Sequence, residues 1–211
     1  MTTARWWHLL TALVATFALV LQLVLVWQGH LILDEVKPPS LGERLVRFFG
    51  YFTILSNALV AYSAWTIALG RDRDTLWWRL LRLDGLIGIT VTFVVVQVLL
   101  KGTYELDGAD LLADNLLHVV VPALAVIGWL VFGPRHRVRR SDLLPALAFP
   151  VAWLVYTLIR GEIVDWYPYP FLDAGKHGYG QVAATCLAIA VLFIGLAALA
   201  WKGDERLSRT R

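Results

Sequence analysis

The residues of this sequence best suited to chemistry are one threonine and one histidine, each set in a strongly apolar segment. Thr53 belongs to the run Phe-Thr-Ile-Leu-Ser-Asn at residues 52–57, and His118 to the run Asn-Leu-Leu-His-Val-Val-Val-Pro at residues 115–122. A threonine hydroxyl attacks effectively when a neighbouring base takes its proton, and neutral histidine is the usual base near pH 7. The pair therefore predicts acyl transfer, with Thr53 as nucleophile and His118 as general base.

Polar side chains flank both residues at helical spacing. Asn57 follows Thr53 by one turn and Asn115 precedes His118 by one turn, so each shares a helix face with its neighbour. Asn57 is a candidate donor to an oxyanion, and Asn115 and Ser56 are candidate substrate contacts. A threonine in a membrane helix also often bonds the carbonyl one turn earlier, and an asparagine there often links two helices. Spacing alone leaves both interpretations open.

The elements that must position these side chains are membrane helices. Of the 211 residues, 58% are hydrophobic and 17% are charged, and the mean hydropathy is +0.64. Ordinary soluble domains contain about 45–50% apolar and about 25% charged residues. The composition excludes a disordered chain and a typical cytosolic enzyme. Because Cys186 is the single cysteine, it also excludes a disulfide-rich secreted domain.

Six apolar segments are long enough to cross a bilayer, since a spanning helix needs about 20 residues. They are residues 6–27, 47–69, 83–100, 115–132, 143–159 and 180–201. The first segment is too long for the core of a signal peptide. The sequence therefore predicts one all-α integral membrane domain over residues 1–211, a bundle of six transmembrane helices.

The distribution of basic residues predicts the orientation of this bundle. Thirteen of the nineteen lysines and arginines fall in the N-terminus, the second and fourth loops and the tail. Because cytoplasmic loops carry the excess of Lys and Arg, both termini are predicted to be cytoplasmic. Thr53 then lies about 9 Å and His118 about 6 Å along helices that start at the outer face. At this depth a lipid ester reaches the hydroxyl and water can enter. Basic residues scattered among short loops do not indicate a nucleic-acid partner.

The loop before the last predicted span is rich in aromatic residues and proline. It reads Trp-Tyr-Pro-Tyr-Pro-Phe-Leu-Asp at residues 166–173 and is predicted to lie at the outer face. Its rings suit either a lid over a lipid-entry groove or an anchor at the membrane interface. Trp166 and Tyr169 are therefore candidate substrate contacts. The sequence leaves open the roles of three nearby residues, Arg160, Asp165 and His177.

Taken together and in this order, the segments at residues 52–57, 115–122 and 166–173 resemble the androgen-inducible membrane protein family, to which the androgen-dependent TFPI-regulating protein belongs. The resemblance covers nearly the whole chain in span number and motif position. It implies an integral-membrane threonine hydrolase that cleaves fatty acid esters of hydroxy fatty acids. Carried over by motif, the threonine is Thr53 and the histidine is His118.

Other functions stay open or are less well supported. The main alternative is a small non-enzymatic membrane protein that binds or transports a lipid-like substrate, although paired broken spans, the usual sign of a transporter, are missing. A haem carrier needs two facing histidines, and a zinc protease needs a His-Glu-x-x-His motif. No cofactor or metal is expected. The excess of arginine over lysine points to a GC-rich bacterial source, and the expected location is then the bacterial inner membrane. The small-residue run at 195–200 leaves the oligomeric state open. Many bacterial relatives are expected to have an acidic residue where this chain has Gly128.

Overall fold

The computed structural model describes residues 1–30, 39–102 and 105–209, and every regular element in these residues is helical. The α-helices are α1 Thr3–Gln28, α2 Leu41–Gly50, α3 Phe52–Ala68, α4 Leu76–Val95, α5 Gly108–Asn115, α6 Val121–Phe132, α7 Leu143–Ala146, α8 Ala148–Val164 and α9 Ala174–Arg209. Two π-helical turns, Val96–Leu100 and Leu116–Val120, extend α4 and join α5 to α6. Two 3-10 turns, Arg140–Asp142 and Pro170–Leu172, precede α7 and α9.

Five helical runs within the described residues are long and apolar enough to cross a membrane. They are Thr3–Gln28, Leu76–Leu100, Gly108–Phe132, Arg140–Val164 and Ala174–Arg209, and the bent pair formed by α2 and α3 brings the number to six. The predicted all-α class is confirmed, and these helices are compatible with the bundle of a multi-pass membrane protein.

Several helices start earlier than the apolar segments predicted. The span predicted at 83–100 belongs to Leu76–Leu100, and the span predicted at 115–132 belongs to Gly108–Phe132. The physical reason is that hydropathy marks only the apolar part of a helix, whereas backbone hydrogen bonding continues into amphipathic turns. Lys37 and Arg211, which entered the count of basic residues, lie outside the described residues.

The span predicted at residues 47–69 is not one continuous helix, because α2 and α3 meet at an angle of 66°. The backbone is extended at Tyr51, where φ is −73° and ψ is 126°. The carbonyl of Gly50 accepts a hydrogen bond from Trp153 Nε1 at 2.9 Å, and Ile54 N–H donates to the Tyr51 carbonyl. The bend gives α3 a helix N-terminus of its own inside the protein, directly before the candidate nucleophile.

α3 and α4 form the centre of the bundle, and α3 packs mainly against α1 and α4. In the most apolar stretch of the span that contains α4, 56% of the residues are buried. The corresponding share is 17% in the spans that contain α8 and α9, so these two helices lie at the periphery. The outward faces of the peripheral helices are apolar: Leu13, Phe17 and Val20 line one exposed side of α1. Such faces are suited to contact with lipid.

Charged residues join several elements at one end of the bundle. Arg79 of α4 donates two hydrogen bonds to Asp142, at 2.8 and 3.1 Å. The carboxylate of Asp204 in α9 accepts the backbone N–H groups of Arg137 and Val138 at 3.0 and 3.2 Å. These bonds hold the starts of α4 and α7 and the last turns of α9 together, and we call this region the termini end.

Gly128 also lies near the termini end and is closely packed. Trp7 donates its indole N–H to the carbonyl of Leu124, and His8 bonds the Gly133 carbonyl. A Cβ atom on Gly128 would lie 2.9 Å from Trp7 Nε1. An acidic side chain expected at this position in relatives would therefore have to displace Trp7.

Candidate active site

Thr53 lies in the first turn of α3 and is buried. Its Oγ1 atom is 3.2 Å from His118 Nε2 and 3.1 Å from the hydroxyl of Tyr169. The hydroxyl thus pairs with two side chains from other parts of the chain, unlike the threonine of the structural alternative, which bonds the preceding turn. The expected meeting of Thr53 and His118 is present in the structure.

His118 occupies the π-helical turn that joins α5 to α6. Pro122, four residues later, has no N–H to give to the His118 carbonyl. The helix widens before this proline, and Val121 N–H bonds the carbonyl of Leu116, five residues back. π-helical turns are frequent at functional sites because they re-aim one side chain without ending the helix.

The other ring nitrogen of His118 faces Asp114, one helical turn earlier. Nδ1 is 2.8 Å from the Asp114 carboxylate and 3.1 Å from the Asp114 carbonyl. Both are acceptors, so Nδ1 carries the proton and Nε2 is left free to accept the proton of Thr53. Sequence reasoning missed Asp114, although its i,i+4 spacing from His118 was a usable signal.

Tyr169 closes the site from the loop between α8 and α9. Its oxygen accepts the Thr53 N–H at 3.2 Å and also faces the Phe52 N–H. Burial raises the pKa of the Tyr169 hydroxyl above its ordinary value, so the group keeps its proton and can donate it to Thr53 Oγ1. Its ring packs against those of Tyr51, Trp153 and Phe171.

These contacts form one hydrogen-bonded chain with a consistent direction. When His118 is neutral and its proton lies on Nδ1, Tyr169 donates to Thr53, Thr53 donates to His118, and His118 donates to Asp114. The first N–H groups of α3 are taken up by the Tyr169 oxygen and the Tyr51 carbonyl, so this helix end contributes the positive end of its dipole, which favours negative charge, and no free donor. The arrangement contains a nucleophile, a base, a group that orients the base, and a tyrosine hydroxyl beside the nucleophile.

Asn57 holds the two helices of the site together. Its amide nitrogen donates to the carbonyls of Thr53 at 2.9 Å and Leu117 at 3.2 Å. Both N–H bonds of the Asn57 amide therefore go to backbone carbonyls. This matches the alternative in which Asn57 links two helices, and it leaves no amide N–H directed at a substrate. The Asn57 side-chain oxygen is buried and has no hydrogen-bond partner in the described residues.

The remaining predicted site residues contact other parts of the protein. Asn115 is exposed and donates to the Leu111 carbonyl. Ser56 is fully buried, and its Oγ would lie 2.7 Å from a Cβ on Gly88 of α4. Trp166 packs against the guanidinium groups of Arg47 and Arg160.

Trp166 is part of a cluster at the outer side of α2. Arg47 and Arg160 lie 4.8 and 5.3 Å from its ring centre, and both bond Glu43, at 2.8 and 2.7 Å. This cluster attaches the loop to α2 and α8 and gives Arg160 a structural contact. Asp165 ends α8 in a left-handed conformation, with φ of 52°. His177 is exposed in α9.

Two cavities adjoin Thr53, and both are lined by Thr53 and Tyr169. The smaller has a volume of about 60 Å³ and is lined by several polar residues, among them His118, Asp114 and Asp110. The larger, of about 290 Å³, lies between α4, α8 and α9 and is lined almost entirely by apolar side chains. Thr53 therefore borders one cavity that has several ionisable residues in its wall and another whose wall is almost entirely apolar.

In the part of the chain that the structure describes, no group of three or more His, Cys, Asp or Glu side chains could hold a metal ion. Comparisons with protein families, with characterised proteins and with solved structures find no match to this chain.

Proposed function

We propose that this protein is a membrane-embedded hydrolase of lipid esters in which Thr53 is the nucleophile and His118 the general base. The observation that carries the proposal is the chain of hydrogen bonds from Thr53 through His118 to Asp114, with two cavities that Thr53 lines beside it. The resemblance to the androgen-inducible membrane proteins supports fatty acid esters of hydroxy fatty acids as the substrate class.

In the first half of the reaction, His118 Nε2 takes the proton of Thr53 Oγ1 as that oxygen bonds the ester carbonyl carbon. The Tyr169 hydroxyl turns its proton from Thr53 Oγ1 to the carbonyl oxygen, and together with the positive end of the α3 dipole it stabilises the negative charge there. The bond between the carbonyl carbon and the alcohol oxygen then breaks. His118 gives its proton to the departing oxygen, which leaves an alcohol and an acyl ester of Thr53.

In the second half, water replaces the alcohol. His118 takes a proton from the water as its oxygen bonds the acyl carbon, and the bond to Thr53 Oγ1 breaks. The proton returns from His118 to Oγ1, and a fatty acid is released. Asp114 positions His118 throughout and stabilises the imidazolium that forms twice in the cycle.

We also propose a location and an orientation. Arginines concentrate at the termini end, in the loop at residues 133–142 and the start of α4, which supports a cytoplasmic position for both termini. The site then lies near the outer face of the membrane, which we propose is a bacterial inner membrane. Fusing a reporter that is active only in the cytoplasm to each terminus tests this orientation, and an inactive reporter at either terminus would contradict it.

The catalytic proposal is tested by labelling the purified protein with a fluorophosphonate probe that reacts with activated hydroxyls. We expect labelling of the unaltered chain and its loss in Thr53→Ala and in His118→Ala. The matched control is Thr90→Ala, since the Thr90 hydroxyl bonds the Leu86 carbonyl within α4. Labelling that persists in Thr53→Ala would overturn the assignment.

A non-enzymatic lipid carrier is the second candidate, and the apolar cavity is the observation in its favour. A carrier would bind or move a lipid without changing it. Flux into proteoliposomes that falls in His118→Ala, together with absent labelling of Thr53, would favour the carrier over the hydrolase.

A further inference from the structure

We propose that the larger cavity is a binding site for the unbranched acyl chain of the ester and opens sideways to the bilayer between α8 and α9. This inference rests on the proposed function, because it assigns the acyl side of the substrate to one side of Thr53. Three features of the cavity support it: the apolar side chains of its wall, its opening between α8 and α9, and its position beside the smaller cavity.

The polar atoms of the cavity wall are occupied by the protein itself. Thr92 donates its hydroxyl to the Gly88 carbonyl, and Trp153 donates its indole N–H to the Gly50 carbonyl. The Tyr169 hydroxyl is engaged at the N-terminus of α3. The rest of the wall is dominated by aliphatic and aromatic side chains. A polar ligand would find few partners there, whereas an alkyl chain needs none.

The cavity reaches from the buried Thr53 to the surface that faces lipid. Val151 of α8 and Ile194 of α9 line it and are 56% and 53% exposed, and Ala190 beside them is also exposed. Its lining on α9 runs from Cys186 to Ile194, which is about 12 Å along the helix. Because α8 and α9 are the peripheral helices, an acyl chain can enter between them without leaving the hydrocarbon phase.

The smaller cavity also borders Thr53 and differs from the larger one in the ionisable residues of its wall. His118, Asp114 and Asp110 line it, so it suits the departing alcohol and the incoming water. An ester whose carbonyl carbon lies at Thr53 would thus place its acyl chain in the larger cavity and its alcohol oxygen toward His118. This placement is the one that the two proton transfers of His118 require.

The first test measures specificity for acyl-chain length. Ala190→Trp narrows the opening at an exposed position, so the fold should be retained. We expect kcat/KM for a palmitoyl ester, relative to a butyryl ester of the same fluorescent alcohol, to fall about tenfold, the effect of 1.4 kcal/mol. The control Leu187→Trp adds the same ring to an exposed position of α9 outside the cavity and should leave the ratio unchanged.

The second test does not depend on hydrolysis. Palmitate with a photoreactive diazirine at its end is bound to the full chain in nanodiscs, and the crosslinked peptides are identified by mass spectrometry. We expect crosslinks at residues 186–194 that are lost in Ala190→Trp but kept in Leu187→Trp and in Thr53→Ala.

The outcomes separate the two proposals. Crosslinks at the cavity without any Thr53-dependent hydrolysis would refute the hydrolase and retain the acyl site. Thr53-dependent hydrolysis with an unchanged chain-length ratio in Ala190→Trp would overturn the acyl site, as would crosslinks spread evenly over all lipid-facing helices.

Discussion

Replacing Asp114 by asparagine tests whether the base is oriented as the structure indicates. The carboxylate lies 2.8 Å from His118 Nδ1, and its side chain is 24% exposed. A hydrogen bond to a charged group contributes about 1.5–3 kcal/mol, and partial access of water places this one in the lower half of the range. At about 1.4 kcal/mol for each tenfold change, Asp114→Asn should lower kcat about 10- to 30-fold.

The decrease in kcat of Asp114→Asn should not exceed this range, because the backbone carbonyl of residue 114 remains 3.1 Å from His118 Nδ1. This second acceptor keeps the proton on Nδ1 in the variant, so the tautomer that accepts the proton of Thr53 is retained. A carboxylate that alone set the tautomer would cost about 10⁴-fold when replaced by an amide.

The assay is the initial rate of hydrolysis of a fluorescent lipid ester by the purified protein in detergent. KM should be unchanged, since Asp114 acts through His118. In a His118→Ala background, Asp114→Asn should have no further effect, because the group it positions is gone. Asp107→Asn makes the same charge change at an exposed position at the start of α5 and is the control.

Three results would refute this reasoning. The first is an unchanged kcat in Asp114→Asn. The second is an equal loss in Asp107→Asn, which would indicate a general effect of charge. The third is additive losses in the double variant with His118→Ala, which would mean that Asp114 does not act through the histidine.

Three further predictions concern other contacts. Tyr169→Phe keeps the ring packing but removes the hydroxyl, so kcat should fall about tenfold, the effect of losing about 1.4 kcal/mol. Because the buried Thr53 N–H also loses its acceptor, the free energy of unfolding should fall by about 1–3 kcal/mol, and an unchanged kcat beside this loss would argue for a structural role alone. Gly88→Ala should lower the free energy of unfolding by about 1–3 kcal/mol through overpacking, because its Cβ would lie 2.7 Å from Ser56 Oγ, and Ser56→Ala should restore part of the loss. Arg79→Ala leaves the buried Asp142 without this partner and should cost about 1.5–3 kcal/mol in unfolding experiments, more than Asp142→Asn, which keeps an acceptor.

The meeting of Thr53 and His118 could be predicted from the sequence, and the other contacts of the site could not. Counting residues from the ends of the predicted spans indicated that the two side chains could meet, and they lie 3.2 Å apart. The count itself was inexact, because α2 bends away from α3 and the helical run of His118 begins at Gly108. The bend at Tyr51 could not be predicted, since it depends on Trp153 capturing the Gly50 carbonyl from another helix. Likewise, the engagement of Asn57 with the backbone depends on the distance between α3 and the π-helical turn.

The sequence by itself determined that the chain is a bundle of long apolar helices with a small polar remainder. Hydropathy and helix period are local properties, and lipid exposure forces apolar faces and internally satisfied backbones. The tertiary structure alone decided which polar groups meet and in which direction protons can pass. Tyr169 is 116 residues from Thr53, and its contact exists only because the loop before α9 docks on the N-terminus of α3. Such contacts arise from the packing of distant segments, which no local pattern in the sequence encodes.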